Sequence, residues 1–281
     1  LREPQLRNNH LVKCKGCELV YLNPRPTGDN AAEFYREEGY DPFLSLHTQQ
    51  GLLDRAYVLA RRQTLRWKKR LVGKLVASGA RILDVGCGTG EFLSYLTTNF
   101  NVEGIEPEPE AARWARERFG LKVHTGNLDD APLDTGHYDL ITLWHVLEHV
   151  PDPSQVLDTI FRLLKPDGSL LIALPNICSL DARIYGSCWV ALDTPRHLYH
   201  FSKPQAEMLV QKSGFKPVGS GMMPLDTFYN SLYSEIVCRD MKGIHQFLLA
   251  PLRLTCAISA SLLWGAATGQ HSGKFYIFDK A

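Results

Sequence analysis

The segment Arg81-Ile82-Leu83-Asp84-Val85-Gly86-Cys87-Gly88-Thr89-Gly90-Glu91-Phe92 constrains the fold more than any other part of the chain. An apolar run enters three glycines at alternate positions, and a helical pattern follows. Glycine is needed where the backbone turns sharply or where a ligand must lie against bare main chain. The spacing is GxGxG, with an acid two residues before the first glycine. A dinucleotide fingerprint would read GxGxxG, its third glycine serving helix–strand packing and its helix end holding pyrophosphate. Nothing in this loop is built for a phosphate, so a nicotinamide-dependent oxidoreductase is set aside.

The rest of the chain extends this unit into an alternating pattern. Strands are expected at 81–85, 102–106, 121–124, 138–143 and 169–174, with helices at about 90–99, 108–119 and 153–164. Asp152 before Pro153 is a helix start, an N-cap followed by proline at the first helical position. Ser202 with Gln205 reads as a capping box that opens a helix at about 203–213. A last strand pair is expected at 215–222 and 274–279. Such alternation implies an α/β fold, a mostly parallel sheet with helices on both faces.

Composition narrows the function classes. Among 281 residues, 31 Lys and Arg face 30 Asp and Glu, a net charge of +1. A dedicated nucleic-acid binder would show a basic excess, so no nucleic-acid partner is expected. The seven cysteines have no regular spacing beyond one CxxC, and no basic segment leads into an apolar signal core. Reduced thiols and a cytoplasmic location are the expectation, with membrane association as an addition to it. The chain begins at Leu1 rather than Met, as a piece of a longer protein would.

Glu106 ends the apolar strand that follows the glycine turn, 22 residues after Asp84. An acid at that strand end can accept both ribose hydroxyls of a nucleoside. With these residues, Tyr138-Asp139-Leu140-Ile141, then Leu143-Trp144-His145-Val146-Leu147-Glu148-His149-Val150, then Arg162-Leu163-Leu164-Lys165-Pro166-Asp167-Gly168, the chain resembles the class I S-adenosylmethionine-dependent methyltransferases over about residues 80–215. The branch it resembles contains ubiquinone-biosynthesis O-methyltransferases and cell-envelope or natural-product enzymes. The resemblance implies a Rossmann-like sheet of seven strands, mostly parallel with an antiparallel last strand. To it are added an amino-terminal extension and a helical insert. Asp167 stands where the family usually has the first glycine of a Pro-Gly-Gly turn.

Carried over residue by residue, the resemblance implies S-adenosylmethionine as cofactor. Asp84, Gly86 and Gly88 would surround its methionine part, with Cys87 and Gly90 in the same loop. Glu106 would hold the ribose and Pro107 would lie near the adenine. The adenine amino group would be met within Gly126-Asn127-Leu128-Asp129, by Asn127, Asp129 or a backbone group. His145 would line the cofactor near the methyl-donor sulfur. Methyl transfer from a sulfonium is an in-line displacement, so alignment and exclusion of water dominate. Aromatic faces such as Trp144 and Tyr199 would favour the cation by about 0.5–2 kcal/mol where they meet it.

An oxygen acceptor also needs a base, and histidine titrates in the useful range. Candidates cluster in Asp193-Thr194-Pro195-Arg196-His197-Leu198-Tyr199-His200-Phe201-Ser202, with His197 ranked first, His200 second and His145 third. A histidine serving only as a cap or core residue is the plainer alternative for each. The Glu148-His149 pair reads as a brace for its loop. Tyr199 and Arg196 are candidate acceptor contacts, and Tyr35 and Tyr40, with Phe34, a lid or ordinary packing. The implied activity is methylation of a small apolar or lipid-linked acceptor, on oxygen before nitrogen or carbon. The alternative is a non-catalytic cofactor-binding module that docks a partner.

Three segments surround this domain (80–281). Residues 1–29 read as a hairpin with Cys14 and Cys17 at its tip. That pair has the spacing of half a zinc site, which needs four ligands; His10 is the candidate third. Relatives with this extension often carry a second CxxC upstream of where this chain starts. Residues 30–79 read as a helical lid or linker, with seven Lys and Arg between Arg61 and Lys74 as a solvated face. At about 225–270 lies an insert, strongly apolar from Phe247 to Ala267. It is read as a buried helical hairpin, with a peripheral membrane contact through 244–268 or an apolar substrate wall as the competing reading. Its uncharged stretch, 254–267, is too short to span a bilayer.

Overall fold

The computed structural model describes residues 10–26, 52–242 and 250–281; of 52–57, 239–242 and 250 it describes the backbone alone. The domain begins with helix α1 (Leu52–Leu75) and strand β3 (Arg81–Val85). Helix α2 (Glu91–Leu96), β4 (Asn101–Glu106), α3 (Pro109–Phe119), β5 (Lys122–Thr125) and β6 (Tyr138–Trp144) follow. Then come α4 (Pro153–Leu163), β7 (Leu164–Pro175), a short α5 (Leu180–Tyr185) and β8 (Tyr199–His200). The chain closes with α6 (Lys203–Lys212), β9 (Phe215–Met222), α7 (Asp226–Lys242), α8 (Ala250–Thr268) and β10 (Gly273–Lys280).

Seven strands form one sheet in the order β5-β4-β3-β6-β7-β10-β9. The pairs from β5 to β7 are parallel, and β10 runs antiparallel between β7 and β9. The expected mixed sheet with an antiparallel last strand is therefore present. Alternation on β3 and β6 divides the core. Leu83, Val85, Ile141 and Leu143 pack on α4 and α6. Ile82, Leu140 and Trp144 pack with Leu65 and Val72 of α1 and with Phe92, Leu93 and Leu96 of α2. Burial of both faces is why these strands read as continuous apolar runs.

The chain moves outward from β3 to β4 and β5, then returns to β6. That reversal opens a crevice at the carboxyl ends of β3 and β6, the switch point where such sheets hold ligands. Asp152 caps α4 as expected, its carboxylate accepting from the backbone of Ser154 and Gln155 at 3.0 and 3.1 Å.

Four local expectations are corrected. Ser202 makes no side-chain cap bond, and Gln205 donates instead to the Cys17 carbonyl at 3.1 Å. A long-range partner has displaced the local one. The turn expected at Lys165–Gly168 is extended backbone, since β7 starts directly after α4 and absorbs the residues in a register shift against β6. Helical spacing of Leu52, Ala56, Leu59, Leu65, Leu71 and Leu75 predicts one apolar side of α1, but Leu59 is exposed. The insert is not simply buried. Its inner face carries Asn230, Ser231, Ser234, Glu235, Ala257 and Ser261, while Phe228, Leu232, Ile236, Leu252 and Leu263 face outward.

The amino-terminal residues form the expected hairpin, β1 (His10–Lys13) against β2 (Val20–Asn23). It does not stand apart, because β2 also pairs with β8 and buries Leu22. His10 pairs with Asn23 at the far end of β1 from Cys14. Four residues of strand are about 13 Å, and among the described residues the cysteine pair gathers no third donor. His10 is therefore not its ligand here. Among the described residues, no helix is long and apolar enough to cross a membrane.

Candidate functional site

The glycine turn is shaped by three left-handed residues, Gly86, Gly88 and Gly90, at φ +71°, +56° and +77°. Their surroundings differ in a telling way. A Cβ on Gly86 would lie 2.6 Å from Val146, in the loop after β6, and one on Gly90 would lie 2.8 Å from the Cβ of Ala115. Those two glycines permit close packing. A Cβ on Gly88 would meet nothing within 4 Å, so this glycine faces the open crevice.

Glu106 fastens the turn from the neighbouring strand. Its carboxylate accepts from the Gly88 N–H at 2.8 Å and from the Glu108 N–H at 2.9 Å. Burial raises its pKa against these two bonds. Each oxygen keeps a lone pair for a further donor. Asp84 is also buried, and accepts from Thr142 Oγ1 at 2.6 Å across the β3–β6 pair. Burial pushes the Asp84 carboxyl up to about 7, against the Thr142 bond and the charge of Lys68. Lys68 reaches in from α1, its Nζ 4.1 Å over the ring of Trp144 and 5.6 Å over that of Phe92. Burial lowers its ammonium to about 8.

His145 follows β6 with φ +59°, an uncommon conformation for a side-chain-bearing residue. Its Nδ1 lies 3.4 Å from Glu148 Oε1, and its Nε2 lies 3.6 Å from Asp226 Oδ2 at the start of the insert. Burial lowers its pKa, but the nearby Glu148 and Asp226 carboxylates outweigh this and raise it. Gly273 makes room for this contact, since a Cβ there would sit 1.8 Å from Asp226 Oδ2.

The remaining expected residues fall in different places. Pro107 and Asn127 are exposed at the crevice side of β4 and β5, and Leu128 is buried in the core. Asp129 is committed to α4, accepting from Gln155 and Thr159 at 2.8 Å each. The Cys87 thiol turns inward against Gly104, so only its backbone lines the turn. His197 and His200 are buried behind the loop that carries His145. Burial first, then the neighbouring His149 and His200, holds the His197 pKa well below its usual range; burial takes His200 down to about 4. Arg196 forms a paired contact with Asp193, at 2.5 and 2.9 Å. Tyr199 donates to the Pro151 carbonyl at 2.9 Å and accepts from Arg25. Lys68 covers the face of Trp144, and Arg25 lies 5.7 Å from the centroid of Tyr199. Both aromatic groups thus already carry cations of the chain itself. Phe34, Tyr35 and Tyr40 lie outside the described residues.

Three site residues are not evident from the sequence. Lys68 is one of eight basic residues on α1, and only the packing of that helix singles it out. Thr142 is marked solely by alternation with Leu140 and Trp144 on the face it shares with Asp84. Asp226 is 142 positions from Asp84 in the chain, and nothing local ties it to His145.

The profile of the methyltransferase domain family matches residues 55–219. A ubiquinone biosynthesis O-methyltransferase of Xanthomonas oryzae is 32% identical over 137 residues, which are 46% of this chain and 57% of that protein. One from Bordetella avium is 33% identical over 168 residues, 55% of this chain and 69% of the relative. The matched segment thus spans little more than half of the first of these relatives. Among solved structures, magnesium protoporphyrin IX methyltransferase from Synechocystis superposes with a TM-score of 0.58 at 13% identity, covering 89% of this chain and 97% of that one. Phosphoethanolamine N-methyltransferase 2 of Haemonchus contortus, in complex with S-adenosyl-L-methionine, gives 0.57 at 18% identity, with 93% and 62% coverage. Those identities speak for the fold alone. With the profile spanning more than half of the residues and the sheet in the family's order, the chain belongs to the methyltransferase domain family, in its class I, Rossmann-like branch.

Proposed function

We propose that the chain is an S-adenosylmethionine-dependent methyltransferase whose acceptor is a small apolar or lipid-linked molecule carrying a hydroxyl group. The observation that carries the reading is the Glu106–Gly88 unit beside the bare crevice face of Gly88. A nucleoside lying there meets main chain without a side chain in the way, and Glu106 retains lone pairs for two ribose hydroxyls. The methionine part of the cofactor is a zwitterion, and Asp84 with Lys68 offers the opposite charges at the far end of the turn. Pro107 and Asn127 are left for the adenine. When bound, the cofactor supplies an electrophilic methyl group.

The protein's own contribution is to hold the acceptor in line, exclude water and take one proton. His145 is the histidine best placed for that proton. It borders the crevice with its ring held between Glu148 and Asp226, whereas His197 and His200 are buried further back. The apolar acceptor is supported by the names of the curated relatives and by the outward side chains of the insert. A helix pair with serines inside and large apolar residues outside suits a peripheral membrane contact that brings a lipid-linked acceptor to the crevice.

Calorimetric titration with S-adenosylmethionine and separately with NADH, followed by methyl transfer to apolar phenols and lipid-linked sugars, tests the reading. Micromolar binding of the methyl donor alone, followed by turnover, is expected. Binding of NADH in its place refutes it. Binding without transfer to any acceptor in the presence or absence of vesicles favours a non-catalytic cofactor-binding module.

A further inference from the structure

We infer that Glu148, His149 and His197 form a site for a divalent transition-metal ion such as Zn2+. A carboxylate oxygen of Glu148 and one ring nitrogen of each histidine lie within 4.8 Å of one another. Donors in a tetrahedral zinc site are about 3.4 Å apart, so the widest pair closes with a shift of at most about 1.4 Å. Two histidines and one glutamate make a known donor set for zinc sites that keep a position open.

The carboxylate is the independent sign of a missing partner. Glu148 is 1% exposed, and neither of its oxygens has a hydrogen-bond partner. Its contact with His145 Nδ1, at 3.4 Å, is long for a charge-assisted hydrogen bond. A buried carboxylate whose oxygens accept no hydrogen bond is costly, and one imidazole at 3.4 Å leaves its second oxygen unmet, so a further cation would be favoured there. Beside the cluster, His200 Nε2 is buried and also lacks a hydrogen-bond partner. It is not one of the three donors that lie within 4.8 Å of one another.

The histidines are oriented in the way metal ligands usually are. His197 Nδ1 lies 2.9 Å from the Ala191 carbonyl, which places the proton there and the lone pair on Nε2. His149 Nδ1 lies 3.2 Å from the Arg196 carbonyl. The two rings meet edge to face, 4.5 Å between centroids. Backbone bonds fix the loops that carry them, since the Glu148 carbonyl accepts from Leu198 and Tyr199 at 2.8 and 3.3 Å. Asp193 Oδ2, 3.8 Å from His197 Nε2, adds negative charge nearby. The site adjoins the crevice through His145. A bound cation would hold Glu148 and, through the 3.4 Å contact with His145, the loop that borders the crevice.

The test begins with protein stripped by chelator, with Cys14 and Cys17 both changed to serine so that the hairpin holds no metal. Zinc content after equilibration and desalting, zinc affinity by competition with a chelator, and the visible spectrum of the Co2+ form are then measured. One zinc per chain, intense four-coordinate cobalt bands, and a 10- to 100-fold weaker affinity in His197→Gln and in Glu148→Gln are expected. Circular dichroism confirms that each variant is folded; where one is not, the cobalt spectrum of the parent protein decides. Loss of all zinc with the cysteine pair, equal affinity in the folded variants, or six-coordinate cobalt bands overturn the assignment. No step uses the methyl donor, so this failure is distinguishable from failure of the methyltransferase reading.

Discussion

The Gly88 N–H donates to Glu106 Oε2 at 2.8 Å, which makes the glycine turn after β3 and the acid ending β4 a single hydrogen-bonded unit. Removal of the carboxylate therefore does two things: it deletes the proposed ribose acceptor and it frees the turn. A hydrogen bond to a charged group contributes about 1.5–3 kcal/mol. Glu106→Ala is expected to weaken S-adenosylmethionine by at least about tenfold in a calorimetric titration, with Glu106→Gln intermediate. Unchanged affinity in Glu106→Ala would remove the ribose assignment.

Gly88 and Gly90 separate a crevice-facing glycine from a packing glycine. Both have positive φ, so alanine strains either one. Only at Gly90 does the new methyl group also strike Ala115 and Leu121. Gly90→Ala is expected to lower stability by about 2–4 kcal/mol, read as an unfolding midpoint in urea, against about 1 kcal/mol for Gly88→Ala. Gly88→Ala in turn is expected to lose cofactor affinity while remaining folded.

Asp84 supplies a pH signature. Its carboxyl is raised from 3.8 to about 7 by burial, against the Thr142 bond, with Lys68 and Glu106 as its charged neighbours. A raised acid binds more protons in the folded state, so its contribution is fully present below about pH 4 and is lost as pH rises through about 7. Thermal midpoints at pH 5 and pH 8 should differ more in the wild type than in Asp84→Asn. The cofactor's ammonium group would draw the proton off Asp84. Affinity is thus expected to rise with pH toward 7, with proton release measurable by calorimetry in buffers of different ionisation enthalpy.

Asp226 brings the start of the insert to within 3.6 Å of His145, the proposed proton acceptor. Gly273→Ala would drive a methyl group onto its carboxylate, 1.8 Å away. The two changes Gly273→Ala and Asp226→Asn should therefore behave alike. Asp226 positions His145 rather than taking the proton, so each is expected to reduce kcat by about 10- to 100-fold, below the roughly 10²–10⁴-fold of losing the base itself, with cofactor affinity changed less than threefold. A loss of affinity equal to the loss of kcat would place Asp226 with the cofactor instead.

How much of this was legible follows from how far apart the partners are in the chain. The α/β pattern, the three glycines and Glu106 were readable because each depends on local periodicity or on a turn of a few residues. The strand ending at Glu106 must lie beside β3 for the chain to bury both, so its acid was locatable as well. Asp152 capped its helix as expected for the same reason, a partner two or three residues away.

Where partners are distant, local signals failed. Gln205 left Ser202 for the Cys17 carbonyl, 188 residues away, because the amino-terminal hairpin docks on β8. Lys68 became a site residue through the packing of α1 on the face shared by Asp84, Thr142 and Trp144. Asp226 reached His145 only because β10 enters between β7 and β9 and folds the insert back over the sheet. Fold class and the glycine turn were already written in the chain order, since these rest on near-neighbour geometry and on burial of apolar periodicity. Tertiary structure alone decided which charges meet at the crevice and that the insert presents its apolar side outward, because both depend on contacts between segments whose spacing in the chain carries no signal.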